Sequence, residues 1–319
     1  RGIIKDSCHL LERFSMPALI THHLFGEESI DRLPAGIINT DEERCAFLLA
    51  NQGPDPFFFR VRTLKMRDCM GLAQRMHRCR MSRQFTALRD GVSRLNKHDA
   101  ALGRAFVLGL LSHYALDRNA HPFVYDQQWG IMEADPTLAD QGSHVHAVIE
   151  SDLDILMLQL KRDHATVLDY PPESEIVTTE RINKVAGVLM SHMARTVYDL
   201  EIGANEYGGA VADMKLAYRA IEPAGSPISQ VHAMFTSLAH PVTAELPRRA
   251  GNLDHLVWAN PFSKAQSDES FPDIFDRALD DYSIAAARFI EGVAMDDVTG
   301  HVNYSGRPLG VDEEFDREE

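Results

Sequence analysis

Residues 112–126 read SHYALDRNAHPFVYD, and in them His113, Asp117 and His121 recur at four-residue intervals beside the apolar run AFVLGLL. On a helix, positions i and i+4 lie almost above one another, so His113 and Asp117 face the same way. A core-facing stripe carries such residues only where a hydrogen-bond network, a catalytic site or a metal ion satisfies them. The segment SHVHAVIESDLDILML repeats the device: His146 and Glu150 are four apart, with Asp154 one turn further on, among Val148, Ile149, Leu153, Ile155, Leu156 and Leu158. Taken alone, either pair is more often an ordinary side-chain hydrogen bond, and His144 competes with His146. Two such pairs within about forty residues, with a third histidine in register, point instead to a metal cluster in a helical bundle. Imidazole nitrogen with carboxylate oxygen is a donor set that suits Zn2+.

Helical periodicity dominates the elements that must position these residues, and alternating strand patterns are scarce. PALITHHLFGEESIDRL opens with Pro17 at a first-turn position and keeps an apolar face. In TDEERCAFLLANQG, Thr40 is the cap, Glu43 completes a capping box and Gly53 is the stop. One long helix is expected over 66–95 and another over 99–120, with more over 143–162, 180–202, 207–222, 228–239 and 272–293. Pro122 disfavours the helical conformation at His121, so the second of these should end there, with His121 in its last turn or the first loop residue. Stretches 54–64, 122–140, 163–178 and 241–268 are rich in Pro, Asp and Ser and read as loops. The pattern predicts one all-α, multi-helix domain over 16–299, after an N-terminal extension (1–15) and before a disordered acidic tail (300–319).

A chain of 319 residues, 45% apolar and 25% charged, has the composition of a soluble globular protein. Its net charge of −15 weighs against sequence-independent binding to duplex nucleic acid, and no stable nucleic-acid complex is expected. A nuclease stays open, because bound divalent ions make a site locally cationic. Cys8, Cys45, Cys69 and Cys79 show no CxxC spacing and are too few for a disulfide scaffold, which fits a reducing compartment. No run reaches the roughly 18 apolar residues that span a bilayer, and the first residues lack a signal-peptide core, so the expected location is cytoplasmic.

GPDPFFF, then LAQRMH, SHYALDRNAHPF and HAVIE, together resemble the zinc-dependent phospholipase C family, which is related in fold to the zinc-dependent single-strand nucleases. MPALITHHLFG and WANPFSKAQSDESFPDIFDRA look like its cytosolic-type members, and the resemblance runs from about residue 16 to 293. It implies a helical bundle around a zinc cluster. Asp55, His77, His113 and Asp117 would hold one zinc, and His121, His146 and Glu150 a second. A third would draw on His22, a share of Asp117 and the chain's own terminal amine. Secreted members expose an N-terminal Trp; here Trp129 and Trp258 are internal, and Met16-Pro17 looks like the start of cytosolic members. Two firmly bound zinc ions are therefore expected, with the third site incomplete.

The implied activity is phosphoric-ester hydrolysis of phospholipase C type, on a phospholipid or a related ester. Asp55, in the rigid Gly53-Pro54-Asp55-Pro56 turn, would also accept a proton from the attacking water. Two alternatives are a nuclease or nucleotidase on the same frame, which base-stacking aromatics near the site would favour, and a non-catalytic, metal-stabilised binding protein. Phe57, Phe58 and Phe59 read as loop packing, His23 as outward-facing, and Asp154 as orienting His146 or capping a polar contact. The remaining histidines, His240 among them, read as surface or core-edge residues.

Overall fold

The computed structural model describes residues 18–222 and 239–310, and it is helical apart from two two-residue strands. The helices are α1 Leu19–Asp31, α2 Asp41–Ala50, α3 Met66–Arg78, α4 Met81–Arg94, α5 Lys97–Ala134, α6 Gly142–Lys161, α7 Pro172–Glu175, α8 Glu180–Tyr198, α9 Asn205–Ile221, α10 Phe271–Ile290 and α11 Met295–Thr299. Single 3-10 turns lie at Asp55–Phe59 and Pro136–Leu138. The all-α expectation holds. The helix expected over 228–239 and the extension 1–15 fall outside the described residues, except for Ala239.

Contacts divide the chain into two compact units. One takes the chain up to Thr21, Pro122–Pro172 and Tyr218–Ile274; the other takes His22–His121, Glu173–Ala217 and the chain from Phe275 onward. In the first unit, α6 buries Leu153, Ile155, Leu156 and Leu158, as its apolar pattern requires. Phe123 of α5 packs its ring edge to face against Trp258, whose strand (β1, Trp258–Ala259) pairs antiparallel with β2 (Gln266–Ser267). In the second unit, α4 packs along α8 and against α11. Arg60 joins Glu206 and Asp213 at 2.8 Å each, tying the loop before α3 to α9.

Local chemistry explains where the helices begin and end. Glu43 N–H donates to Thr40 Oγ1 (3.1 Å), and the Glu43 carboxylate reaches back to Asn39 N–H (2.7 Å), one residue earlier than in a standard capping box. The long helix expected over 66–95 is two helices. Arg80 takes a left-handed φ of 63°, and buried Gln84 donates its amide to the Met76 and Cys79 carbonyls that the break leaves without helical partners.

The opposite correction applies at Pro122. The helix does not stop at His121 but runs on to Ala134, taking most of the 122–140 stretch out of the loop class. An internal proline costs about 3 kcal/mol through its missing N–H and its clash with the preceding turn. Phe123 and Val124, 1% and 2% exposed, bury enough apolar surface directly after it to offset that cost. Within the stretch expected to be an acidic tail, Tyr304 is completely buried.

Candidate metal centre

Gly53 makes the centre possible. It ends the turn after α2 at φ +56°, and a Cβ there would sit 2.2–2.6 Å from the His113 ring, 2.3 Å from its Nε2. Only glycine combines that backbone conformation with so close an approach. The turn then delivers Asp55 in its 3-10 helix, 5% exposed, with Oδ1 3.2 Å from His77 Nε2. His77 comes from the last turn of α3.

Helix α5 supplies the next residues from one face. His113 is fully buried, and its Nε2 lies 3.2 Å from Asp117 Oδ2 without hydrogen-bond geometry. Asp117 Oδ2 is also 4.0 Å from His77 Nε2, while Oδ1 is 3.1 Å from His22 Nε2. One carboxylate therefore faces two sets of imidazoles with different oxygens. The groups Asp55/His77/His113 and His22/His113/Asp117 each bring donor atoms within 4.8 Å of one another. The second unit thus gathers His22, Asp55, His77, His113 and Asp117, and His121 follows one turn beyond Asp117 on α5.

In the first unit, His146 Nε2 and Glu150 Oε1 face each other at 3.2 Å on α6. His144 lies apart from them, lining an apolar cavity of about 710 Å³ with Phe123, Val148 and Trp258.

The tautomers are fixed by the surroundings. His77 Nδ1 is 2.8 Å from the Ala73 carbonyl, His113 Nδ1 2.9 Å from that of Asn51, and His121 Nδ1 2.8 Å from that of Tyr304. His146 Nδ1 is 2.8 Å from Gln128 Oε1. A carbonyl only accepts, so each Nδ1 carries the proton and, in the neutral ring, Nε2 carries the lone pair. That lone pair faces a carboxylate in His77, His113 and His146. Two acceptors at about 3.2 Å need a cation between them. Protonating every ring would supply it at the expense of buried imidazoliums side by side, with His22 stacked on His113 at 4.1 Å and His77 6.2 Å from His113. Like charges that close are unfavourable, and an ion in each donor group would satisfy the facing acceptors without that repulsion.

The spacing fits as well. Donors of a tetrahedral ion with bonds of about 2.1 Å stand about 3.4 Å apart. These donor sets could hold metal ions, and the carbonyls behind them are the supports that ligating histidines use. With no ion bound, burial pulls the His77 pKa down, but the Asp55 hydrogen bond and the Asp55 and Asp117 charges leave it raised. Burial pushes Asp117 up, and His113 and His121 more than reverse it, holding its carboxyl well below the usual range.

Several residues depart from their sequence readings. His23 is not outward-facing: it is 8% exposed and 2.8 Å from Glu175. Of the two readings of Asp154, orienting His146 falls to Gln128 instead, and capping a polar contact holds. Asp154 accepts from Ile20 and Thr21 N–H at the start of α1 (2.9 and 2.7 Å) and meets His240 Nε2 at 2.9 Å. His240, read as a surface or core-edge residue, is 4% exposed between Asp154 and Glu222. Phe57 and Phe59 are buried as expected, and Phe58 stacks on the His77 ring at 5.7 Å.

Tyr304 was not found from the sequence. Its ring packs 5.0 Å from His77 and 5.7 Å from His113, its N–H donates to the His77 carbonyl and its carbonyl accepts from His121. It sits in the stretch 300–319, which reads as a tail because of the acidic run that follows it. No family model, curated protein or solved structure matches this chain.

Proposed function

We propose that this protein is a zinc-dependent phosphoric-ester hydrolase of the phospholipase C type, acting on a phospholipid or a related phosphodiester. The observation that carries the reading is the common arrangement of His77, His113 and His146. Each gives its Nδ1 proton to a carbonyl oxygen and turns Nε2 on a carboxylate. Zinc held by such donors lowers the pKa of water and neutralises phosphoryl oxygens, which is what ester hydrolysis at neutral pH needs. The proposed donors are His22, Asp55, His77, His113 and Asp117 in one unit and the His146–Glu150 pair in the other, with His121 as a further imidazole. Asp55 has one oxygen engaged by His77; the other is the proposed proton acceptor. Asp117, its charge held firmly by the histidines around it, is the shared carboxylate.

The test is metal analysis of purified protein, followed by a screen of phosphodiesters and phosphomonoesters with and without chelator. Chelator-sensitive turnover with stoichiometric zinc is expected. Zinc-replete protein that turns over no ester would mean a metal-stabilised binding protein instead.

One observation favours a nucleotide-directed variant of the same chemistry. Tyr125 packs 5.2 Å from the His146 ring and joins Trp129 and Phe262 in an aromatic cluster with Trp129 46% exposed. Such faces stack bases. Including single-stranded oligonucleotides and 3′-nucleotides in the screen separates the two.

A further inference from the structure

The Tyr304 hydroxyl is buried and has no hydrogen-bond partner among the described residues. This is unusual beside so many acceptors. It bonds to neither Asp117 nor Asp55, the carboxylates of the neighbouring donor groups. The ring cannot swing to find another acceptor: it is wedged against His77, His113 and Tyr114 at 5.0–5.7 Å, and both its backbone polar groups are engaged. A buried donor held this way is costly unless a ligand supplies the acceptor.

We propose that Tyr304 is an oxyanion-binding residue, whose hydroxyl donates a hydrogen bond to a phosphoryl oxygen seated on the ion held by Asp55, His77, His113 and Asp117. The donors around it are all histidines and carboxylates, so Tyr304 gives the site a neutral proton donor that metal binding does not consume. His77, its side chain 19% exposed, is the most open of these donors. A phenol O–H donates to the oxygens of phosphate or its ester and brings no negative charge to repel them.

This inference rests on the ester-hydrolase reading, and Tyr304→Phe tests it. The substitution keeps the ring and both backbone bonds and removes only the hydroxyl. The expected result is unchanged zinc content, a melting temperature in chelator equal to or above wild type, and orthophosphate affinity for the zinc-loaded protein lower by roughly tenfold. In wild-type protein labelled with tyrosine 13Cζ, adding orthophosphate should move one resonance, the one that Tyr304→Phe lacks. Loss of zinc, a lower melting temperature in chelator, or equal phosphate affinity in variant and wild type would each overturn the assignment. If wild-type zinc protein does not bind orthophosphate at all, this inference and the ester-hydrolase reading fall together. If it does and the variant matches it, only Tyr304's role falls.

Discussion

Gly53 and Asp117 are the residues whose replacement should be felt most sharply at the centre. Gly53→Ala would force a side chain into a left-handed backbone position, which costs about 1–2 kcal/mol. Its Cβ would also press on the Nε2 face of His113, where an ion has to sit. Zinc affinity is expected to fall roughly 10–100-fold, the range for losing the support of a ligand, and the melting temperature should fall with it. An alanine variant that retains wild-type zinc after dialysis would show that the turn is not part of the centre. Asp117→Ala removes the one carboxylate that faces two sets of imidazoles, and about 3 kcal/mol of stability should go with it, since breaking a buried charged cluster strands its partners. Urea unfolding of zinc-loaded protein and metal analysis read both effects. His113, Asp117, His146 and Glu150 were legible because i, i+4 spacing in an apolar run is visible in residue types, whereas His22, Asp55 and His77 came only through the family resemblance. Their supports were not: the Asn51, Ala73 and Tyr304 groups are backbone carbonyls, which any residue could supply, and Gln128 is 18 positions from His146.

At the level of elements, the N-terminus of α1 rests on a buried charge network. Asp154 accepts from Ile20 and Thr21 N–H, and His240 bridges it to Glu222, with the Tyr218 ring stacked at 6.4 Å. Burial lowers the His240 pKa, but Glu222 first and then Asp154 raise it to about 10 from an ordinary 6.5. A histidine pKa raised on folding gives stability that is complete below about 6.5 and is lost as pH rises through about 10. In chelator, the urea midpoint of wild-type protein should therefore decline between these limits, and His240→Gln should be less stable at pH 7 with a flatter decline. Parallel declines in the two proteins would show that His240 is not the charge involved. The sequence hid this network because its three members are far apart in the chain and none has a partner at helical spacing. It also misjudged two helix ends for one reason. Local rules place a stop at Pro122 and none at Arg80, whereas buried Phe123 carries the helix on and the amide of Gln84 supports the break.

For the molecule as a whole, no helix among the described residues is long and apolar enough to cross a membrane, and the chain's charge of −15 opposes binding to polyanions. A bound metal would add to stability, because the folded chain gathers donors that the unfolded chain scatters. At free zinc a thousandfold above its dissociation constant, binding should add about 4 kcal/mol. Chelation should lower the melting temperature and zinc should restore it; a melting curve indifferent to both would remove the metal centre from the account. Tyr304 carries a further consequence, in the order of synthesis. Every proposed ligand lies between His22 and Glu150, yet the carbonyl that fixes the His121 tautomer and the ring that wedges His77 arrive only with Tyr304. Zinc loading is expected to finish only once Tyr304 has been synthesised, long after the last proposed ligand, Glu150. A chain stopped after Gly300 should carry every ligand and still hold zinc weakly, and tight zinc retention by that truncated chain would show that the closing segment arrives too late to matter.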